Sequence, residues 1–595
     1  MKNFLTSMLG ALVALIIFVA GAALLCVGIA GAVVALAGKK TAPVEAGSYL
    51  VFNLATNITD APPLIDWAGF DGRDASLQLR TATRALHVAA RDPRIHGLLL
   101  LGSLSPNGYG TGYAALKEVR AAIADFKAAG KPVTAYLDFA TTKDFYLASA
   151  ASRVVLNPYG VIAMPGLASE PVFFAGAFEK YGIGVQVTRV GKYKSFVEPF
   201  IRKDMSPENR EQVLKLLDDV WGSLIADIGR SRGITPARIQ ATVDAEGLIR
   251  PEAAMEAHLV DRIAYRDEIA GELKAQTGAG RGKDDFRQIG LDEYSKTIPS
   301  ASTGGRVAVV YAEGDIVEGE GADGEVGGVK FARELRRLRE DDEVKAIVLR
   351  VNSPGGSASA AETIQREIRL ARKVKPVIVS MGSYAASGGY WISADADRIF
   401  AEPTTVTGSI GVFGIQFDVK RLANDFGITF DGVKTGKFAD TFTIARPKTD
   451  EEMAVFQRLV DWIYGQFIAK VAEGRKLKPE FVEEIAQGRV WSGLEAKKLG
   501  LVDEIGGLGD SLRYAARIAG LGAHFRVDEY PRTKNLSEVL SEALGKVAPD
   551  SLHIHSTPGV VGRLERQIEA EMTQLRTFDD PQGVYARLPV GFDLK

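Results

Sequence analysis

The sequence predicts an α/β protein built from two copies of one domain, which follow a membrane-spanning helix at the N-terminus. Apolar segments of strand length alternate with amphipathic segments of helix length through most of the chain. The stretch that begins at Lys131 aligns with the stretch that begins at Lys375, and the two stay in step for more than a hundred residues. A chain of 595 residues is also too long for a single hydrophobic core.

The N-terminal segment has the composition of a membrane anchor. Residues 4–38 contain no charged side chain. This run is longer than the roughly 20 apolar residues that cross a bilayer, and longer than the apolar core of a signal peptide. We therefore predict a retained transmembrane anchor at residues 1–40. Lys2 on one side and Lys39 and Lys40 on the other leave its orientation undetermined.

Each copy consists of alternating predicted strands and helices, which indicates a largely parallel sheet covered by helices on both faces. In the first copy, at residues 45–298, we predict strands at 49–54, 95–101 and 132–137, and helices at 77–91 and 116–126. In the second copy, at residues 305–534, we predict strands at 306–311, 344–351 and 376–380, and helices at 331–339 and 361–371. Ser76 is the predicted N-cap of the first helix.

The two copies are separated by a glycine- and serine-rich boundary and followed by a C-terminal extension. Residues 278–282 and 299–305 have the composition of a linker. Residues 535–595 match nothing in the first copy, and within them 564–575 is predicted to form a short charged helix.

Composition excludes several classes of function. The chain has 72 Lys and Arg against 74 Asp and Glu, which argues against a broad nucleic-acid-binding face. A single cysteine, Cys26, excludes an intramolecular disulfide and a cysteine metal site. Of the six histidines only His553 and His555 form a close pair, and they lack the further ligands that a metal needs. We therefore predict no metal and no cofactor.

Two glycine-rich turns of the second copy are candidates for catalytic machinery. Gly355 and Gly356 follow a predicted strand, and Ser387 and Gly388 precede a short helical segment. A serine at such a turn suits a nucleophile, and N–H groups of Gly388 and of Gly355 or Gly356 suit an oxyanion hole. A serine that only caps a helix is the structural alternative for Ser387. Phosphate binding is disfavoured, because no Gly-x-x-x-x-Gly-Lys-Ser/Thr motif is present.

The first copy supplies a candidate base. Its counterpart of Ser387 is Lys143, while its Lys194 has no lysine counterpart in the second copy. A lysine acts as a base only when burial lowers its pKa by several units from about 10.4. The neighbours of Lys194 are largely apolar and aromatic, whereas Lys192 matches Lys437 and is predicted to have a structural role. A Ser-His-Asp triad would instead require a histidine of the first copy: His87, His96 or His258.

At these residues the chain resembles the long, duplicated form of bacterial signal peptide peptidase, the protease IV family. The resemblance covers nearly the whole chain. Its blocks are VGKYKSFVEPF at 190–200, VLRVNSPGG at 348–356, VSMGSYAASGGYWIS at 379–393, TGSIGVFG at 407–414 and FDDPQ at 578–582.

The resemblance implies a serine protease with a Ser/Lys dyad on tandem duplicated Clp protease/crotonase-like domains. Ser387 is then the nucleophile, Lys194 the general base and Ser409 the hydroxyl that orients the lysine. Gly388, Gly355 and Gly356 are then the oxyanion hole. The family implies a homotetramer anchored in the bacterial inner membrane, with its catalytic part on the periplasmic side. Its substrates are signal-peptide remnants and other short, apolar peptides.

Two other functions remain compatible with the residues. A crotonase-like acyl-CoA enzyme would use the glycine turns without a serine nucleophile, and a membrane scaffold would use neither residue of the dyad. The sequence also leaves open whether Ser387 meets the Lys194 of its own chain or that of a neighbouring chain.

Overall fold

The computed structural model describes most of the two copies, which we call the first and second repeats. The described residues are 21, 43–63, 76–102, 111–278, 280, 286–299, 303–522, 524–532, 580 and 583–588. The predicted anchor, except Gly21, and the predicted helix at 564–575 lie outside them. Among the described residues, no helix has both the length and the apolar character needed to span a bilayer.

The first repeat is built on a mostly parallel sheet. Its strands run in the spatial order Gln288–Gly290, Ser48–Asn53, Ile95–Leu101, Val133–Thr141, Arg153–Ala163 and Leu248–Ile249, with Arg262–Ile263 also pairing with Arg153–Ala163. Of these pairs only the one with Leu248–Ile249 is antiparallel. Buried leucines such as Leu98 and Leu100 point into a core between this sheet and its helices.

The second repeat repeats this topology in the same strand order. Its strands are Phe525–Tyr530, Gly305–Glu313, Val344–Ser353, Val377–Ala386, Val406–Gly408 and Val490–Ser492, with Arg398–Ala401 bridging Val377–Ala386 and Glu504–Ile505. The matching order confirms the predicted duplicated α/β fold, and the finer likeness to Clp protease and crotonases stays a prediction.

Helices cover the sheets. In the first repeat they span Leu79–Ala89, Tyr113–Ala128, Thr142–Ala148, Ala175–Tyr181, Glu198–Ile201, Pro207–Arg232, Pro236–Glu246, Pro251–Glu256, Arg266–Thr277 and Leu291–Lys296, with a 3-10 turn at Ser195–Val197. In the second repeat they span Gly328–Glu340, Ala358–Ala371, Gly388–Ser393, Lys420–Asp425, Asp450–Arg475, Pro479–Ile485, Gly493–Lys498 and Leu508–Ile518. The two longest helices within the described ranges each begin at a hydroxyl N-cap, Ser206 and Thr449.

The structure contains the predicted strands and helices of both repeats, but the prediction that Ser76 caps the first helix was wrong. The strand Ile95–Leu101 has its predicted bounds, and the other elements differ from prediction at their ends. Ser76 does not cap the first helix, because it lies in the strand Ser76–Gln78. The helix begins after Gln78, whose side-chain amide donates to the Tyr311 hydroxyl at 3.0 Å instead of capping the helix.

A third sheet joins the repeats. Its strands, in spatial order, are Val326–Gly327, Ile316–Val317, Gly355–Ser357, Val584–Arg587, Phe413–Asp418 and Gly184–Arg189. Gly184–Arg189 belongs to the first repeat and pairs antiparallel with Phe413–Asp418 of the second along its full length. The chain that follows Arg189 is thereby directed onto the second repeat.

Candidate active site

Ser387 lies at a strained junction between a strand and a helix. The strand Val377–Ala386 ends just before it, and the helix Gly388–Ser393 begins just after it. Its backbone has φ +57° and ψ −111°, a conformation that a residue with a side chain adopts only at a cost of order 1–3 kcal/mol. Its N–H donates to the carbonyl of Gly408 at 2.8 Å, and its carbonyl accepts the N–H of Trp391 at 2.8 Å. The surrounding backbone thus holds the strained residue in place.

Lys194 of the first repeat reaches the hydroxyl of Ser387. Its Nζ lies 2.7 Å from Ser387 Oγ, 3.1 Å from Ser409 Oγ and 3.2 Å from the carbonyl oxygen of Ser409. The two residues are 193 positions apart in the sequence and meet within one chain. The structure therefore brings together three of the predicted site residues, and it does so without a neighbouring subunit.

The surroundings of Lys194 favour its neutral form. The side chain is 0% exposed, and burial lowers the pKa of Lys194 well below its usual value near 10.5. Among the described residues, no carboxylate forms an ion pair with its Nζ to oppose this effect. A neutral amine at 2.7 Å from a hydroxyl is placed to accept its proton.

The loop that carries Lys194 is fastened by buried amide and hydroxyl groups. Gln212 donates to the carbonyl of Tyr193 at 3.0 Å and to Ser195 Oγ at 3.0 Å, and it accepts the N–H of Val490 of the second repeat at 3.2 Å. Ser195 in turn donates to Asn209 at 2.8 Å. These bonds fix the loop of Lys194 against the second repeat.

Sequence reasoning missed two glycines that make room for the lysine. A Cβ on Gly488, whose φ is +75°, would lie 2.6 Å from Lys194 Cβ. A Cβ on Gly411 would lie 2.8 Å from Gly488 Cα and 3.4 Å from Lys194 Cδ. Glycine in a loop is too common for the sequence to have singled out either position.

The predicted oxyanion glycines also meet beside Ser387. A Cβ on Gly355, whose φ is +100°, would lie 2.7 Å from the nitrogen of Gly388, and one on Gly388 would lie 3.2 Å from the nitrogen of Gly356. The N–H of Gly355 donates to Ser353 Oγ at 3.2 Å. As the first residue of a helix, Gly388 has no intrahelical acceptor for its N–H. Gly388 is therefore better placed than Gly355 as an oxyanion donor, and the role of Gly356 stays a prediction.

The alternative histidine base finds no support in the described part of the chain. There, the polar atoms bonded to Ser387 Oγ are Lys194 Nζ and, at 3.4 Å, the carbonyl oxygen of Gly411. His87 lies instead on the surface, 3.1 Å from Asp125. No group of three or more His, Cys, Asp and Glu side chains suited to a metal occurs in the described ranges, and Cys26, His553 and His555 lie outside them.

A buried serine beside a lysine and a glycine-rich turn has the arrangement of a serine hydrolase site. Comparison with known families narrows this class. The chain matches the model of Peptidase family S49 twice, at residues 125–280 and 369–522, once in each repeat. The chain therefore belongs to peptidase family S49 and is a serine peptidase.

Three relatives agree with this assignment. The chain is 36% identical to Protease 4 of Salmonella typhi over 84% of its own length and 82% of that protein. It is 33% identical to Protease 4 of Haemophilus influenzae, over 92% of each chain. It is 34% identical to the chloroplastic serine protease SPPA of Arabidopsis thaliana, over 74% of this chain and 65% of that protein.

Proposed function

We propose that this chain is a membrane-anchored endopeptidase in which Lys194 activates Ser387 to degrade cleaved signal peptides. The observation that carries the dyad is the distance of 2.7 Å between Lys194 Nζ and Ser387 Oγ in a fully buried setting. Burial supplies the lowered pKa that a lysine base needs. Ser409 Oγ, at 3.1 Å, holds the amine in line with the serine.

The reaction follows from the positions of these groups. Ser387 Oγ attacks the carbonyl carbon of the peptide bond while its proton passes to Lys194 Nζ. The N–H groups of Gly388 and Gly356 stabilise the resulting oxyanion, each donor being worth roughly 3 kcal/mol. The intermediate collapses, and the leaving amine takes the proton from Lys194. Lys194 then takes a proton from a water molecule, whose oxygen attacks the acyl carbon. As the ester bond breaks, Lys194 returns that proton to Ser387 Oγ.

The substrate, location and assembly rest on the family resemblance. Signal-peptide remnants supply the short, apolar chains expected to enter the site, and residues 1–40 supply the anchor to the inner membrane, with the catalytic part on its periplasmic side. We propose a homotetramer as the working form. Large apolar side chains that are more than half exposed support such contacts between copies: Phe426, Ile428, Phe430, Val433 and Phe442.

The test uses the purified full chain in detergent micelles with a synthetic signal peptide, a folded protein and an acyl-CoA ester. We expect mass spectrometry to detect cleavage of the signal peptide by the wild type and none by Ser387→Ala. Ser393→Ala is the matched control, because its hydroxyl is buried nearby and donates only to the carbonyl of Gly389 at 2.7 Å. Peptide cleavage that survives Ser387→Ala would overturn the dyad, and turnover of the acyl-CoA ester by that variant would favour the crotonase-like alternative.

The location is tested separately in cells. We expect the full chain to stay in membranes during alkaline extraction and a chain lacking residues 1–40 to be released. External protease should reach the catalytic part only after the outer membrane is permeabilised. Digestion only after the inner membrane is broken would contradict the proposed side.

A further inference from the structure

One short segment of the second repeat, residues 486–489, contacts the backbone on both sides of the proposed base. We call it the bridging segment. The carbonyl of Gln487 accepts the N–H of Tyr193, the residue just ahead of the base, at 2.9 Å. The carbonyl of Arg489 accepts the N–H of Ser409 at 2.7 Å. The loop of the base and the serine expected to orient it are therefore held by the same four residues.

The backbone is strained where the bridging segment meets the site. Gln487 has φ +53° and Ser409 has φ +49°, values that residues with a side chain seldom adopt. Between them in space, the N–H of Gly488 donates to the carbonyl of Ile410 at 2.9 Å. Strained conformations persist only where the surrounding structure holds them. The bridging segment therefore depends on contacts beyond its own backbone.

The side chain of Arg489 supplies such contacts. Its guanidinium carbon lies 4.6 Å from the ring centroid of Tyr193 and 4.7 Å from that of Trp491. The guanidinium also donates to the Tyr193 hydroxyl at 3.1 Å and forms an ion pair with Glu211 at 3.0 Å. A planar guanidinium stacks on aromatic rings and bonds in a fixed direction, which a flexible ammonium does not do as well. Arg489 of the second repeat thus holds the residue next to Lys194 of the first.

The Arg489 side chain also separates the loop of the base from water. It is 20% exposed, whereas Lys194 and Ser409 are 0% exposed. Loss of the guanidinium would open the ring of Tyr193 to water one residue from Lys194. Burial is what lowers the pKa of Lys194, so a wetter loop would move that pKa back towards its usual value.

We propose that Arg489 is a positioning residue, which acts through Tyr193 and the backbone of Ser409 to hold the amine of Lys194 against Ser387. The proposal rests on the proposed peptidase function of the dyad. Arg489 contacts the residues that flank the dyad, while Ser387 Oγ is bonded by Lys194 Nζ. Its loss should therefore impair the proton transfer and leave peptide binding in place, which means a lower kcat at an unchanged KM.

The full chain in detergent micelles, with a fluorogenic peptide as substrate, tests the proposal. Arg489→Met removes the guanidinium and keeps an unbranched side chain. We expect kcat at neutral pH to fall about 10-fold, with KM changed by less than about 2-fold. The rising limb of kcat against pH should move to higher pH, because Lys194 becomes neutral only there. Arg489→Lys should recover part of the loss, since an ammonium also binds aromatic rings. A rising limb that stays in place in Arg489→Met would overturn the proposal.

A matched control removes the same kind of contact elsewhere in the second repeat. Arg337, in the helix Gly328–Glu340, lies 5.0 Å from the ring centroid of Tyr530 and forms an ion pair with Glu334 at 2.6 Å. Arg337→Met should leave kcat, KM and the pH profile unchanged. Urea denaturation of both variants measures the folded fraction. A loss of activity in Arg489→Met that unfolding accounts for, with the pH profile unmoved, would make Arg489 a structural contact only and overturn the proposal.

The charge of Lys194 can be followed without turnover, which separates this proposal from the function on which it rests. In the Ser387→Ala background, NMR of the chain labelled with ¹³C at the lysine Cε reports the titration of each amine, and Lys194→Arg identifies the signal of Lys194. A higher pKa of Lys194 after Arg489→Met supports the positioning role even if Ser387 is not the nucleophile. An unchanged titration overturns it even if the dyad is confirmed.

Discussion

The two repeats share one topology and use the same strand-to-helix turn in opposite ways. In the first repeat, Thr141 Oγ1 accepts the N–H of Asp144 at 3.3 Å, and Asp144 accepts the N–H of Thr141 at 2.8 Å, which closes a capping box. In the second, Ser387 makes no side-chain cap, and its hydroxyl lies against Lys194. A hydroxyl that satisfies its own helix is not free to attack a substrate, so the absence of a side-chain cap leaves the Ser387 hydroxyl available for the attack that we propose.

The loop of the first repeat that carries Lys192 and Lys194 also differs from the matching loop of the second repeat, which carries Lys437. The loop of the first repeat is buried against the second repeat, and its Lys194 is fully enclosed. The corresponding loop of the second repeat is on the surface, where Lys437 forms an exposed ion pair with Glu451 at 2.7 Å. Burial, which lowers the pKa of Lys194, is therefore available to only one of the two loops.

The largest expected effect contrasts the two turns directly. Ser387→Ala should lower kcat by roughly 10⁶-fold, the size of effect found when the nucleophile of another serine protease is removed. Lys143→Ala, at the matching position of the first repeat, should leave kcat unchanged. Hydrolysis of a fluorogenic peptide ester measures both. Comparable losses in the two variants would remove the functional distinction between the turns.

The next effect contrasts the buried and exposed lysines. Lys194→Ala should lower kcat/KM by about 10²–10⁴-fold, because it removes the proposed general base. Lys192→Ala, two residues away and exposed, should have little effect.

The dependence of activity on pH gives a further test of the role of Lys194. A lysine acts as a base only when it is neutral, and burial lowers the pKa of Lys194. Activity of the wild type should therefore be lost below that lowered pKa and rise as the pH increases through it. A rising limb that persists unchanged in Lys194→Ala would assign it to another group.

A third prediction concerns the contact between the repeats. Arg350 is fully buried in the second repeat and bonds Asp60 at 2.7 Å and Glu118 at 2.8 Å, both in the first. Arg350→Met should lower the free energy of unfolding by about 3–5 kcal/mol, because it leaves two buried carboxyls without their partner.

Urea denaturation measures this loss against a surface control. Arg333→Met, whose ion pair with Glu320 is exposed, should leave the free energy of unfolding nearly unchanged, because solvent screens this pair. Burial already raises the pKa of Asp60 and Glu118. The loss in Arg350→Met should therefore shrink as the pH falls and these carboxyls take up protons. A loss no larger than that of the control would show that the repeats do not depend on this cluster.

The smallest effect concerns the positioning of the base. Ser409→Ala removes the hydroxyl at 3.1 Å from Lys194 Nζ but leaves the backbone carbonyl at 3.2 Å. We expect kcat/KM to fall roughly 5- to 10-fold, the equivalent of one hydrogen bond of about 1 kcal/mol. Ser409→Thr should recover part of the loss. A fall as large as that of Lys194→Ala would mean that Ser409 does more than orient the lysine.

Much of the site was predictable because its signals are local. A glycine turn after an apolar strand marked Gly355 and Gly356, and a serine before two glycines marked Ser387. Lys194 was visible only through comparison of the repeats. Gly488 was not predictable, because its importance comes from the lack of room for a side chain: a Cβ there would lie 2.6 Å from the Cβ of Lys194, nearly 300 positions earlier.

The sequence by itself determined the order of strands and helices in each repeat, since the period of apolar residues is a property of neighbouring positions. It also determined which repeat carries the serine and which the lysine. Only the tertiary structure decided that the two meet in one chain, because the pairing of Gly184–Arg189 with Phe413–Asp418 joins segments far apart in sequence. The tertiary structure also decided that Val584–Arg587 lies beside the turn of Gly355 and Gly356. Burial, hydrogen-bond distance and a lowered pKa depend on which surfaces pack together, and no local pattern encodes them.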